Sequence, residues 1–214
     1  MITLQTETAQ IVDLLRVNIP IPEKQVLRRL GYPPGFDKVQ GDMKLLVQHA
    51  FDIAPELMHP KVALRILDID TCDEQKVTFK ENPIVIENDK VAKMLRNASK
   101  GVFFMVTIGF MLEREMQKMI SKGDMTEGMA LDAIGSETTD AVADYLHHEL
   151  LTQLAESNGF KITPRFSPGY GEWSLGIQKD ILALCNGKAI GISLSDSCLM
   201  HPRKSVSAVL GLEG

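Results

Sequence analysis

The chain is predicted to be an α+β protein, with mixed helices around a mainly antiparallel sheet. Helical and strand-like segments follow one another without the regular βαβ alternation of a doubly wound fold. Residues 62–69 and 75–86 alternate apolar and polar side chains and are rich in β-branched types, the pattern of strands that bury one face and neighbour each other in a meander. No internal repeat is visible, which argues against a solenoid or propeller. The 214 residues read as one domain, 1–214, with residues 1–60 a mostly helical amino-terminal part.

In chain order, Pro22 in a first turn, then Val26, Leu27 and Leu30 at helical spacing and Gly31 as a stop, predict a short helix. After the Pro34-Gly35 turn, a helix over 37–57 carries Val39, Met43, Leu46, Val47, Ala50 and Phe51 on one stripe, with Pro60 limiting it. The two strand-like segments come next, then a helix over 88–98 and an apolar strand over 102–107 that breaks at Ile108-Gly109. A helix opening near Phe110 presents Leu112, Met116, Met119 and Ile120 and stops at Lys122-Gly123. A longer one runs from near Thr126 to Asn158-Gly159 with Met129, Ala133 and Ile134 among its apolar positions, and the small Ala133 and Gly135 admit a close neighbour. Beyond a turn-rich stretch at 166–171 come a helix over 174–184, a strand over 189–194 and a final strand over 205–210.

A formal net charge of -5 disfavours generic nucleic-acid binding, which needs a dense Lys/Arg face. The longest apolar run, 102–112, is about half of the roughly 20 residues a membrane-spanning helix requires, so no membrane association is expected. The first residues lack a basic start and a small-residue cleavage site, so the expected compartment is the cytoplasm. Cys72, Cys185 and Cys198 are scattered, without a CxxC pair, and read as small buried side chains.

The strong signatures of metalloproteases, phosphate loops and dinucleotide folds, HExxH, GxxxxGK[ST] and GxGxxG, do not occur. His147 and His148 are adjacent, so on a helix they point about 100° apart and read as surface residues, not as a metal pair. Asp196, Ser197 and His201 lack the framing of a nucleophile elbow. No catalytic side chain and no metal ligand is therefore expected. The segment Arg165-Phe166-Ser167-Pro168-Gly169-Tyr170, followed by Gly171, Glu172 and the only tryptophan, Trp173, is different. A guanidinium offers a planar fork that meets a carboxylate bidentately, and glycines let backbone groups approach a flat ligand. On residues alone, a proline-glycine turn whose arginine pairs with a surface acid fits equally well.

Arg165-x-x-x-Gly169-Tyr170 resembles the RxxxGY motif of the reactivation domain of cobalamin-dependent methionine synthase. Residues 196–207, D-S-C-L-M-H-P-R-K-S-V-S, resemble that family's E-S-F-A-M-W-P-G-A-S-V-S, and residues 141–149, A-V-A-D-Y-L-H-H-E, resemble its A-F-A-E-Y-L-H-E. Val106-Thr-Ile-Gly109 is a fainter match to V-T-G-G, and residues 26–32 look like the amino-terminal part of stand-alone members.

The resemblance implies an S-adenosylmethionine site in which Arg165 holds the carboxylate, the loop Phe166, Ser167, Pro168, Gly169 and Tyr170 surrounds the adenine, and Asp140 meets the amino group. It also implies reductive methylation: inactive cob(II)alamin is reduced and takes the methyl group of S-adenosylmethionine. No D-x-H-x-x-G corrinoid motif occurs, so cobalamin is expected on a partner, a corrinoid-binding methyltransferase acting in trans, with a reductant protein such as flavodoxin or ferredoxin. The competing expectations are a non-catalytic S-adenosylmethionine-binding module and a pocket given over to another amino-acid-like ligand. Glu172, after the tyrosine, is an additional candidate for negative potential near the sulfonium.

Overall fold

The computed structural model describes residues 2–15, 17–33, 35, 39, 41–80 and 82–214. Among the described residues, the strands are β1 (Gln10–Asp13), β2 (Lys61–Cys72), β3 (Lys76–Phe79), β4 (Asn82–Glu87), β5 (Lys100–Thr107), β6 (Lys161–Ile162), β7 (Ser193–Leu194), β8 (Met200–His201) and β9 (Ser205–Glu213). The helices are α1 (Glu23–Arg29), α2 (Asp42–Leu57), α3 (Asp89–Leu95), α4 (Met111–Lys122), α5 (Met125–Tyr145), α6 (Thr152–Ser157) and α7 (Gln178–Leu184). The main sheet runs in the order β4-β3-β2-β5-β9-β6, with β1 also on β2, and its pairings are antiparallel. The predicted class, α+β with a mainly antiparallel sheet, is the observed one.

Period-2 alternation explains how one sheet holds two cores. On one face, Val62, Leu64, Phe104, Val106, Ala208 and Leu210 meet α1, α2, α4 and α5. On the other, Ala63, Phe103, Met105 and Val209 meet α3, α7 and Trp173. The continuous apolar run in β5 follows, because both of its faces are covered and Gly101 through Thr107 are all buried. Phe103 and Phe104, next to each other in sequence and on opposite faces, are each fully buried, which contributes roughly 1.5–3 kcal/mol apiece.

Several helix boundaries follow from local chemistry. Asn88 caps α3, its side chain accepting from the Val91 amide. α4 stops at Gly123 in the left-handed region, φ 95°, where a side chain would be strained. Gly135 on α5 lets the helix sit against Leu112 of α4, whose Cδ2 would lie 2.8 Å from an added Cβ.

Other expectations change. The helix expected over 37–57 is α2, beginning at Asp42; Pro34 and Asp37 lie outside the described residues. Met43 and Met129, read as core-facing, are exposed. The segment 75–86 is two strands of a hairpin. The strand expected over 189–194 begins instead as a 3-10 turn, Gly187–Ile190, framed by left-handed Asn186 and Gly191, and leaves only Ser193–Leu194 to pair with β8. In the amino-terminal part, residues 10–13 form a strand that pairs with Lys61–Leu64 of β2.

Candidate functional site

The loop that carries the RxxxGY motif is anchored at both ends by backbone bonds. Phe166 exchanges hydrogen bonds with Val209 of β9, at 2.8 and 2.9 Å, an isolated bridge beyond the short β6. The Gly169 amide donates to the Trp173 carbonyl at 2.7 Å, and the Trp173 amide donates to the Tyr170 carbonyl at 2.9 Å, closing a compact turn. Gly169 has φ 90°, a conformation glycine adopts without strain. Trp173 is buried beside Phe166, ring centroids 6.2 Å apart, so the tryptophan pins the loop to the core. Asn88 adds a side-chain donor to the Gly171 carbonyl at 3.1 Å.

Under this loop lies an open cleft of about 520 Å³, between the loop, α5, β9 and the start of α7. Arg165, Phe166, Ser167, Pro168, Tyr170 and Asp140 all line it. Gly169 shapes the turn and does not line the cleft, and its amide is occupied by Trp173. Glu172 faces two other grooves and is not part of this cleft, so negative potential near a ligand bound there comes from α5 instead. The volume falls in the range of cavities that take small molecules and cofactors.

The electrostatics are those of one cation facing a row of acids. Arg165 Nη1 reaches Asp144 Oδ1 at 2.5 Å, and Asp140 stands one helical turn earlier on α5. Loss of water around its carboxyl raises the Asp140 pKa above the usual aspartate value, and Glu137 adds to the rise while Arg165 opposes it. Asp140 nevertheless keeps an exposed outer side. There it also borders a second groove, about 430 Å³, between α5 and the segment Asn18–Ile19–Pro20. Glu137 is paired to Arg29 at 2.6 Å, which ties α1 to the same helix face.

Two further residues, to which the sequence assigned no role, line the cleft floor. Gln178 opens α7 and Ser207 lies on β9; both are buried, and among the described residues Gln178 Oε1 and Ser207 Oγ have no hydrogen-bond partner. A glutamine at the head of an apolar helix and the second serine of Ser-Val-Ser are the faint sequence traces they leave.

His147 departs from its expected surface position. It is buried in a π-helical turn, Leu146–Leu151, with Nε2 3.1 Å from the Thr163 carbonyl. The widened turn stacks its ring on that of His148, centroids 4.4 Å apart. Burial, followed by the neighbouring His148 and Arg165 charges, lowers the His147 pKa, so the ring is held neutral. Among the described residues no group of three or more His, Cys, Asp and Glu could hold a metal ion. Nor is any helix among them long and apolar enough to cross a membrane.

This arrangement can bind a zwitterionic small molecule: a guanidinium, held by an exposed acid, for a carboxylate, and a carboxylate for an ammonium. The fold matches a solved structure described as "Crystal Structure of the MetH Reactivation Domain bound to AdoHcy", with a TM-score of 0.70, 15% identity, and coverage of 98% of this chain and 80% of that one. No curated protein matches the sequence. The sequence model for "Vitamin B12 dependent methionine synthase, activation domain" matches residues 65–213, which include β5, α5, the Arg165–Tyr170 loop and β9. The chain therefore belongs to the family of vitamin B12-dependent methionine synthase activation domains.

Proposed function

We propose that this protein binds S-adenosylmethionine in the cleft under the Phe166–Tyr170 loop and supports reductive methylation of cobalamin held by a separate corrinoid methyltransferase such as methionine synthase. The observation that carries the reading is that Arg165 and Asp140, 25 positions apart in sequence, line one cleft of about 520 Å³ with the loop above it. A carboxylate on the guanidinium and an ammonium on Asp140 would orient the amino-acid end of the ligand. The match to a domain described with AdoHcy bound supports an adenosyl ligand.

S-adenosylmethionine supplies a methyl group on a sulfonium, already a good leaving group. The protein's residues then serve to position it: Arg165 and Asp140 fix one end, and the Phe166 and Trp173 packing fixes the loop that covers it. No side chain needs to act as nucleophile or base. The reductant is a protein such as flavodoxin or ferredoxin. The three free cysteines, Cys72, Cys185 and Cys198, support placing this activity in the reducing cytoplasm.

The discriminating experiment supplies the protein with a corrinoid methyltransferase, a low-potential reductant and S-adenosylmethionine, and follows the absorbance of methylcobalamin. Its formation, lost in Arg165→Ala, is the expected result. Ligand binding without any methylcobalamin would leave a binding or regulatory module in place of a reactivation subunit.

A further inference from the structure

The main sheet ends on β4, whose outer edge no strand covers among the described residues. The ladder decides which backbone groups that edge leaves open. The Asn88 amide donates to the Gln75 carbonyl at 2.8 Å, and the register continues with Ile86 opposite Val77 and Val85 opposite Thr78. Bonded pairs alternate in an antiparallel ladder, so Ile86 and Asn88 face β3, whereas Val85 and Glu87 turn their amides and carbonyls outward. The other side of β3 agrees. The Lys76 carbonyl accepts from the Asp73 amide and the Lys76 amide donates to the Asp73 side chain, so neither is left for Glu87 opposite. Among the described residues, no hydrogen bond outside the sheet takes up the outward groups of Val85 and Glu87.

This edge is one wall of a groove of about 810 Å³, and Trp173, Ile177, Ala183 and Leu184, in and before α7, supply apolar surface on the other. Ile84 and Val85 supply it on the strand side. An open strand edge facing a helix across a partly apolar groove accepts one more extended strand, bonded along its backbone with alternate side chains in the groove. Pro83 has no N–H to offer, so the usable rungs are those of Val85 and Glu87 and the added segment is short, about four to six residues.

Charge decides what that strand is. Glu87, Glu172 and Asp180 line the groove, and no Lys or Arg does. A second groove adjoins it across Glu87 and Glu172 and adds Asp73, Glu74 and Asp89 against one cation, Lys76. Lys90 lies beside Gly171 and lines neither groove. Two copies of β4 pairing edge to edge would bring these acids together, and charged residues with a proline are how edge strands avoid pairing with their own kind. The same acids attract a cationic segment. We infer that the β4 edge takes up, by strand addition, an extended basic segment of a partner protein in which Lys or Arg alternates with apolar residues. None of the residues lining the cleft under the Phe166–Tyr170 loop takes part, so the inference stands apart from the S-adenosylmethionine reading.

The test uses the intact protein and capped, fluorescein-labelled peptides of about eight residues that alternate Lys or Arg with Val, Ile or Leu, beside matched peptides carrying Glu in place of the cations. Fluorescence anisotropy reads binding, and residue-resolved amide exchange by NMR reads its place. The basic peptides should bind and the acidic ones should not, and exchange at the Val85 and Glu87 amides should slow when the basic peptide saturates the protein. Val85→Pro removes one outward donor and leaves the bonds to β3 in place, and Glu87→Lys reverses one charge. Each should weaken binding about three- to tenfold, with folding checked by thermal melting. No binding by any basic peptide, slowed exchange confined to other amides, or folded variants that bind like wild type each overturns the inference. So does a concentration-dependent dimer of the peptide-free protein that protects the same two amides, which would make a second copy the occupant. The exchange map is read on wild type and stands even where a variant fails to fold.

Discussion

Arg165 is held by Asp144, Nη1 to Oδ1 at 2.5 Å, while Asp140, one turn away on the same helix, lines the cleft that Arg165 also lines. The guanidinium is thus parked on a partly exposed acid, and a ligand carboxylate competes with Asp144 for it. Such exposed pairs are individually weak, so displacement is cheap.

Asp144→Asn should therefore leave ligand binding intact or tighten it by about two- to fivefold, because it frees Arg165 from its partner. Asp140→Asn should weaken it by about tenfold, because a charged partner for the ammonium is lost. Calorimetric titration of S-adenosylmethionine into both variants separates the roles of the two acids. A tenfold loss in Asp144→Asn with none in Asp140→Asn would reverse their assignment.

The raised pKa of Asp140 carries two signs. A carboxyl raised in the folded state contributes stability at low pH that is lost as pH rises through its folded value. At neutral pH its charge works against the fold, so Asp140→Asn should melt about 1–2 °C higher than wild type without ligand. Binding runs the other way, since the ionised form holds the ammonium, and affinity should fall as pH drops toward and below the raised Asp140 value. Melting curves and titrations across pH 4–7.5 check both.

His147 gives a separate pH dependence. Its folded pKa lies below the ordinary 6.5, so it contributes stability that is present above that value and lost as pH falls below it, toward the folded pKa. Wild type should lose thermal stability between about pH 7 and pH 5.5. His147→Gln, which keeps a donor for the Thr163 carbonyl but cannot take up a proton, should flatten that slope. An unchanged slope in the variant would place the titration elsewhere.

Gly135 tests the packing that sets α5 in place. A Cβ there would meet Leu112 Cδ2 at 2.8 Å and Lys204 Cε at 3.2 Å. Gly135→Val should destabilise by about 1–3 kcal/mol, read by denaturant unfolding, as a crowded branched side chain pushes α4 and the Lys204 side chain away from the helix that bears Asp140.

How much of this was legible beforehand depends on whether the signal is local. β2, β5, α4 and α5 announce themselves through their own periodicity and stops, and Gly135 was readable as a point of close approach. β1 was not: Gln10–Asp13 is a strand because β2 offers an edge far away in sequence. The segment after Asn186 has strand-like composition, but left-handed Asn186 and Gly191 curl it into a tight turn. His147 misled because it was read as one of a pair with His148, although it stands four residues after the buried Ala143, on the inner face of the helix. In the cleft, Arg165 and Asp140 could be named from motifs. Gln178 could not, and Ser207 closes the matched segment 196–207 without an assigned role, because being buried without a partner is a property of the assembled fold and leaves no mark on one residue type.

The central claim is tested most directly by calorimetric titration of S-adenosylmethionine into wild type and Arg165→Ala. Wild type should bind with micromolar-scale affinity, on the order of -8 kcal/mol, and the variant at least about tenfold more weakly. Equal affinity in the two proteins, or no binding by a folded wild type, would contradict it.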